Sequence, residues 1–177
     1  MKPIKKLADN FVEWSQPKAM HRHYEMRGDG EIIATLTWKK LFGSLAVAEC
    51  AEESYSLKRG GFLRPYITVR KLDLDNEVAT MQMGLGHNGV LTFQDGRSFR
   101  FQKLSFWKSQ WGFIDENNKI VCTFNHKTPR LKEAAEVSIE GKAKSFPYLL
   151  LMLIVGWYTI ILIQQESAAA AGAAGAS

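Results

Sequence analysis

The side chains able to do chemistry are few, and the sequence does not gather them. His21 and His23 stand two apart, so on a strand they share a face and offer two nitrogen ligands. A zinc site needs three or four ligands; only Cys122 or His126 could supply another, and neither is at ligand spacing. Surface histidines are the simpler reading. Asp73-Leu74-Asp75-Asn76-Glu77 has the acidic density of a calcium loop, but a loop begun at Asp73 would need Gly and Glu where Val78 and Gly84 stand. A polar turn is expected there. Gly84-Leu85-Gly86-His87-Asn88-Gly89 matches the glycine spacing of a dinucleotide loop. That loop works only when a helix follows to hold the pyrophosphate, and Val90-Leu91-Thr92-Phe93 reads as a strand. Gly43-Ser44-Leu45 lacks the second glycine of a nucleophile elbow. Cys50 and Cys122 sit in strand-like runs as small hydrophobes, and two cysteines make neither a disulfide framework nor a four-cysteine metal site. No carboxylate pair stands out as an acid and base couple. The expectation is a non-enzymatic protein with no metal and no cofactor.

Basic residues carry the remaining binding chemistry. Lys58, Arg59 and Arg64 flank one turn, Arg70 and Lys71 end a strand, and Arg97 and Arg100 follow a hairpin. Two of these groups brought together would hold an anionic lipid headgroup through charge-assisted bonds to phosphate. Scattered, they are solvated surface charge. The formal net charge of +5, from 23 basic and 18 acidic residues, lies wholly within residues 1–143. It suits an anionic membrane surface and gives no reason to expect a nucleic-acid partner.

The elements that must position these residues are mostly strands. Ile32, Ala34, Leu36 and Trp38 alternate with Thr35, Thr37 and Lys39, Ile33 being the exception, and further short runs rich in β-branched and aromatic residues cover 21–26, 45–57, 63–71, 77–83, 90–93, 98–103, 110–114, 120–124 and 135–139. Asp95-Gly96 is the strongest hairpin signal, because Gly accepts a positive φ at no steric cost. About ten antiparallel strands follow in hairpin succession. Ahead of them, Ile4, Leu7, Phe11 and Trp14 recur at helical spacing and Pro17 ends the pattern, which predicts a short amphipathic helix over 3–15. Asp9, Asn10 and Glu13 interrupt what a secretory signal would keep apolar, so a cytoplasmic start is expected.

Residues 145–165 carry no charge. As a helix they span about 30 Å, enough for the hydrocarbon core of a bilayer. A helix apolar all round lies either in a membrane or in the middle of a protein. In the first case the chain is a tail-anchored, single-pass membrane protein with a cytoplasmic β-domain. In the second, Leu149, Leu150, Leu153, Ile154, Trp157, Ile160 and Ile161 fill a barrel, since ten to twelve strands enclose more space than their own side chains occupy. Gly156 would then let the helix pass close to a strand.

Residues 91–99 (LTFQDGRSF), Trp111-Gly112-Phe113-Ile114-Asp115, Tyr55-Ser56-Leu57-Lys58 and Thr68-Val69-Arg70, followed by a terminal apolar helix, resemble the tubby C-terminal-like superfamily, in particular its LURP-one-related and phospholipid-scramblase branch. The resemblance spans roughly residues 20–165. It implies a twelve-stranded barrel wrapped around a C-terminal hydrophobic helix, and contact with anionic lipid or a membrane surface. Two features of scramblase-like relatives are missing: the acidic calcium-responsive segment before the helix and the cysteine cluster used for acylation. The expected organisation is therefore an amphipathic helix within 1–19, a mainly β antiparallel barrel of about 10–12 strands over 20–165 with the helix 145–165 inside it, and a flexible Ala/Gly tail over 166–177.

Overall fold

The computed structural model describes residues 1–4, 7–8, 10–51, 53–105 and 107–174. Twelve antiparallel strands form a closed barrel in simple up-and-down order. They are β1 (Phe11–Ser15), β2 (His23–Gly28), β3 (Glu31–Trp38), β4 (Ala46–Cys50), β5 (Ser54–Gly60), β6 (Tyr66–Lys71), β7 (Asn76–Met83), β8 (Gly89–Phe93), β9 (Ser98–Ser105), β10 (Gln110–Ile114), β11 (Ile120–Lys127) and β12 (Ala134–Ile139). One long helix, α1 (Leu149–Ala174), follows. The barrel closes between the first and last strands, with Val12 opposite Val137 and Trp14 opposite Ala135.

Two strands escape a reading by periodicity. The N-terminal segment does not form the expected helix at residues 11–15: it is β1, hydrogen-bonded to β12 on one side and β2 on the other. Trp14 belongs to both a helical stripe and an alternating pattern, and closure decides between them. Without β1, the edges of β2 and β12 would carry unpaired backbone groups. Val12 and Trp14 therefore point inward while Phe11, meant for a helical stripe, is 63% exposed. Lys5, Lys6 and Asp9 of the predicted helix lie outside the described residues. The run 45–57 divides into β4 and β5 around a turn that holds neither glycine nor proline. The Asp95-Gly96 hairpin forms as expected, with Gly96 at φ +86° and the Asp95 side chain accepting from the Arg97 N–H at 3.1 Å.

Every strand turns one alternating set inward, among them Leu36 and Trp38, Leu57, Ile67 and Val69, Met81, Phe101, Phe113 and Phe124, all buried. The space they leave is filled by α1, whose residues 151–163 are buried without interruption. Contacts around a single turn encircle the helix. Trp157 stacks on Trp14 of β1 at 5.9 Å and meets Tyr24 of β2 edge-on at 5.7 Å. Tyr158 stacks on Trp38 of β3 at 5.2 Å, and Thr159 lies against Met81 of β7. A Cβ on Gly156 would stand 2.5 Å from Phe124 of β11 and 3.0 Å from Phe113 of β10. Leu149, Leu153, Ile154, Trp157, Ile160 and Ile161 are buried and Leu150 is partly so. A helix with its side chains is about 10–12 Å across, which matches the interior that a barrel wider than eight strands leaves open.

The helix begins at Leu149, after a 3-10 turn at Gly141–Ser145. Ser145 donates its hydroxyl to the Lys142 carbonyl at 2.9 Å inside that turn. The helix also continues beyond Gln165 to Ala174, where a flexible tail was expected, because alanine is the strongest helix former. Residues 175–177 lie outside the described set.

Candidate functional site at the helix exit

Up-and-down connectivity sorts the connections between strands onto two ends. The turns after β2, β4, β6, β8 and β10 lie where α1 enters. The loops after β1, β3, β5, β7, β9 and β11 surround the place where it leaves. The two ends differ in chemistry.

The entrance end mixes carboxylates with cations, among them Lys2, Lys119, Lys142 and Lys144, and is internally paired. Asp29, Asp73, Asp75, Asp95, Asp115 and Glu116 occupy its turns. Arg70 bonds Asp75 at 3.2 Å, and Lys71 bonds Glu53 at 2.7 Å with Asp73 at 3.8 Å. The Lys71 ammonium, with the Tyr55 hydroxyl, holds the Glu53 carboxyl below its ordinary value. Arg97 bonds Asp95 at 3.1 Å and Arg100 bonds Asn118. Tyr148, just before the helix, stacks on Phe93 at 4.1 Å and donates its hydroxyl to Asp95 at 2.7 Å. That bond, with the backbone N–H of Arg97, holds the Asp95 carboxyl below its ordinary range. In the acidic turn 73–77, Asp73 and Asp75 thus face cations of their own barrel, while Glu77 accepts from the Thr80 hydroxyl. Among the described residues no group of three or more His, Cys, Asp or Glu could hold a metal ion.

The exit end is cationic and apolar. Its loops bear Lys18, Arg22, Lys39, Lys40, Arg64, Lys108 and Lys132, and Glu133 is their one carboxylate, 2.5 Å from His126. Beside those cations large apolar side chains stand in solvent: Met20, Phe42, Leu63 and Leu131 are almost bare, Phe62 is 97% exposed and Trp107 99%. Residues 167–173 of α1, uncharged and exposed, project from the middle of this ring.

Polar side chains bolt the helix to the loops here. Arg22 donates to the Leu41 and Gly43 carbonyls at 2.9 and 3.0 Å and to Gln165 at 2.9 Å, with its guanidinium 4.7 Å from the Trp38 ring centre. Burial lowers the Arg22 pKa from its ordinary value. The Tyr158 hydroxyl donates to the Ser44 carbonyl at 2.5 Å, and burial raises that phenol's pKa. Arg59 pairs with Glu166, and His87 Nδ1 lies 3.9 Å from the other oxygen of the same carboxylate. Around this pair are a cavity of about 220 Å³ and a more open hollow of about 570 Å³, with Arg59, Leu162 and Glu166 in the wall of both.

The basic residues singled out in the sequence do not converge. Arg59 and Arg64 reach the exit end, and Lys58 faces solvent on the outer wall beside Arg59. Arg70, Lys71, Arg97 and Arg100 lie toward the entrance end and are engaged there. The turns after β5 and β8 differ by an odd number of strands, so they fall on opposite ends. The glycine-spaced segment is followed by β8, a strand, as its apolar run indicated. His23 bonds Thr37 at 2.8 Å on the sheet, while His21 lies in the preceding loop. What the residue-by-residue reading missed is the ring of apolar loop tips. Its trace is visible in the sequence as large apolar residues set beside cations within turns: Lys40-Leu41-Phe42, Phe62-Leu63-Arg64, Trp107-Lys108 and Leu131-Lys132.

No family model, curated protein or solved structure matches the chain.

Proposed function

We propose that this chain is a non-enzymatic barrel module, of the tubby-like kind represented by LURP-one-related and scramblase-like proteins, that docks on anionic membrane surfaces by its helix-exit end. The observation that carries the reading is the pairing of bare aromatic and aliphatic loop tips with cations at one end of a barrel whose other end mixes cations with carboxylates. Tryptophan and phenylalanine suit the interfacial layer of a bilayer, and each basic side chain near an anionic surface adds about 1 kcal/mol. Burying one phenylalanine adds about 1.5–3 kcal/mol. At the far end carboxylates offset the cations, so an anionic surface draws the exit end more strongly.

The experiment is sedimentation of the full chain with phosphatidylcholine vesicles made with and without phosphatidylserine. Binding that needs phosphatidylserine, weakens with salt and falls at least about tenfold in Phe62→Ser or Trp107→Ser supports the reading, by the burial energy of one such ring. Binding that ignores both loop-tip variants overturns it. A second reading rests on one observation: Leu149–Ala173, at mean hydropathy 1.6, is long and apolar enough to cross a membrane. Spanning would empty the barrel of the residues that fill it, so we favour peripheral docking. Extraction by carbonate at high pH separates the two, because a spanning helix stays with the lipid.

A further inference from the structure

We propose that the cleft at the helix exit is a phosphate-ester site, held shut in the free protein by the Glu166 carboxylate. The part of this inference that concerns lipid rests on the docking reading above. Glu166 is the only residue of α1 that is charged at neutral pH, and it lies against Arg59 in the wall shared by the inner cavity and the outer hollow. Among the described residues lining the two hollows it is the only carboxylate. An internal anion therefore occupies the position an external one would take.

The two groups that face it are placed at some cost. Arg59 continues the inward row of β5 after Tyr55 and Leu57, where an apolar side chain would be the ordinary choice. His87 has φ +65° directly after Gly86 at φ +70°. A left-handed conformation costs a non-glycine residue about 1–2 kcal/mol, and such strain is often kept where it aims a side chain. Here it aims imidazole at the Glu166 carboxylate. A guanidinium that donates to a carboxylate can equally donate to a phosphate, with both arms of its fork and with more charge on the partner. Ile67, Met83 and Leu162 line the inner cavity behind the polar rim, so it offers apolar surface to whatever carries the phosphate. The cleft opens among the loops that would meet a bilayer. The matching ligand is a phosphate ester with an apolar neighbour, most simply the headgroup and first carbons of an anionic glycerophospholipid.

The test titrates the full chain with dihexanoyl phosphatidate, glycerol 3-phosphate and inorganic phosphate, and sediments it with phosphatidate or phosphatidylserine vesicles of equal surface charge. One saturable site for dihexanoyl phosphatidate is expected. Glu166→Gln should tighten it about tenfold and Arg59→Gln weaken it at least as much, the scale of one charge-assisted hydrogen bond. Arg59→Lys, which keeps the charge and loses the fork, should fall between and guards against a folding defect in Arg59→Gln. Equal affinity for glycerol 3-phosphate supports the site and assigns it to soluble esters. Preference for phosphatidate supports it and assigns it to lipid. No saturable binding of any probe by the native chain or Glu166→Gln overturns it, as does an equal effect of both variants on the two vesicle types. Trp107→Ser, at a side chain that lines neither hollow, should weaken sedimentation at least about tenfold and leave the titration intact. Titration lost while vesicle binding persists refutes the cleft alone, and the reverse refutes the docking face alone.

Discussion

Replacing Gly156 with leucine tests whether α1 is the filling of the barrel. The first added carbon would stand 2.5 Å from Cζ and 2.8 Å from Cε2 of Phe124, and 3.0 Å from Cε2 of Phe113. Both rings are fully buried, so neither can swing into solvent. Overpacking of a dense core costs about 1–3 kcal/mol, and a branched side chain set between two immobile rings belongs at the upper end. Helix propensity opposes this by about 0.8 kcal/mol, since leucine is much the better helix former. The net loss is about 2 kcal/mol, which for a chain of this size lowers Tm by about 4–8 °C. Gly172 is the control. It lies in the same helix, outside the barrel, with nothing within 4 Å of an added Cβ. Gly172→Ala should leave Tm unchanged or raise it slightly. Thermal melts followed by near-ultraviolet circular dichroism read both, because the tryptophans stacked around Trp157 report on the same interior. A Gly156→Leu protein as stable as the native one, or more stable, would refute the packing of α1 against β10 and β11. A helix in lipid or in solvent would gain from the same substitution.

Trp157→Ala removes the side chain that touches β1 and β2 together and should cost about 3–5 kcal/mol, measurable by urea denaturation of the full chain. Tyr148→Phe keeps the ring on Phe93 and deletes the hydrogen bond that lowers the Asp95 pKa. A carboxyl depressed in the folded state stabilises above its ordinary value of 3.8 and loses that contribution as pH falls through the folded value. The gap in Tm between native and Tyr148→Phe proteins should thus be full near neutral pH and close under strong acid. Burial pushes the Cys122 thiol up to about 12. An aromatic disulfide reagent should therefore leave Cys122 unmodified in the native protein, at Cys50 at most one thiol should react, and both should react in denaturant.

Much of this architecture follows from local rules. Alternation of Ala34, Leu36 and Trp38 marks an inward face whichever neighbour the strand finds, although Ile33 is buried where Ile32 was expected, at a shift in register with β2. Asp95-Gly96 forms its hairpin because the φ it needs suits glycine. The valine and leucine after Asn88 form a strand, which removes the helix a nucleotide loop would need. An uncharged run over 145–165 must leave water, and the sequence states that much. Whether it leaves for lipid or for protein depends on the volume that twelve strands enclose, a property of closure that no single segment contains. The same closure makes a strand of Phe11–Ser15, whose apolar residues fit two periods and whose backbone groups are needed by β2 and β12. Composition likewise fixes how many cations the chain has, but not which of them meet. Chain order alternates the two ends of the barrel, so Arg59 comes to His87 and Glu166 from distant positions in sequence, while Arg97 is carried to the opposite side. The cleft and the apolar ring exist only because hairpin parity and the path of one helix bring separate turns to the same end.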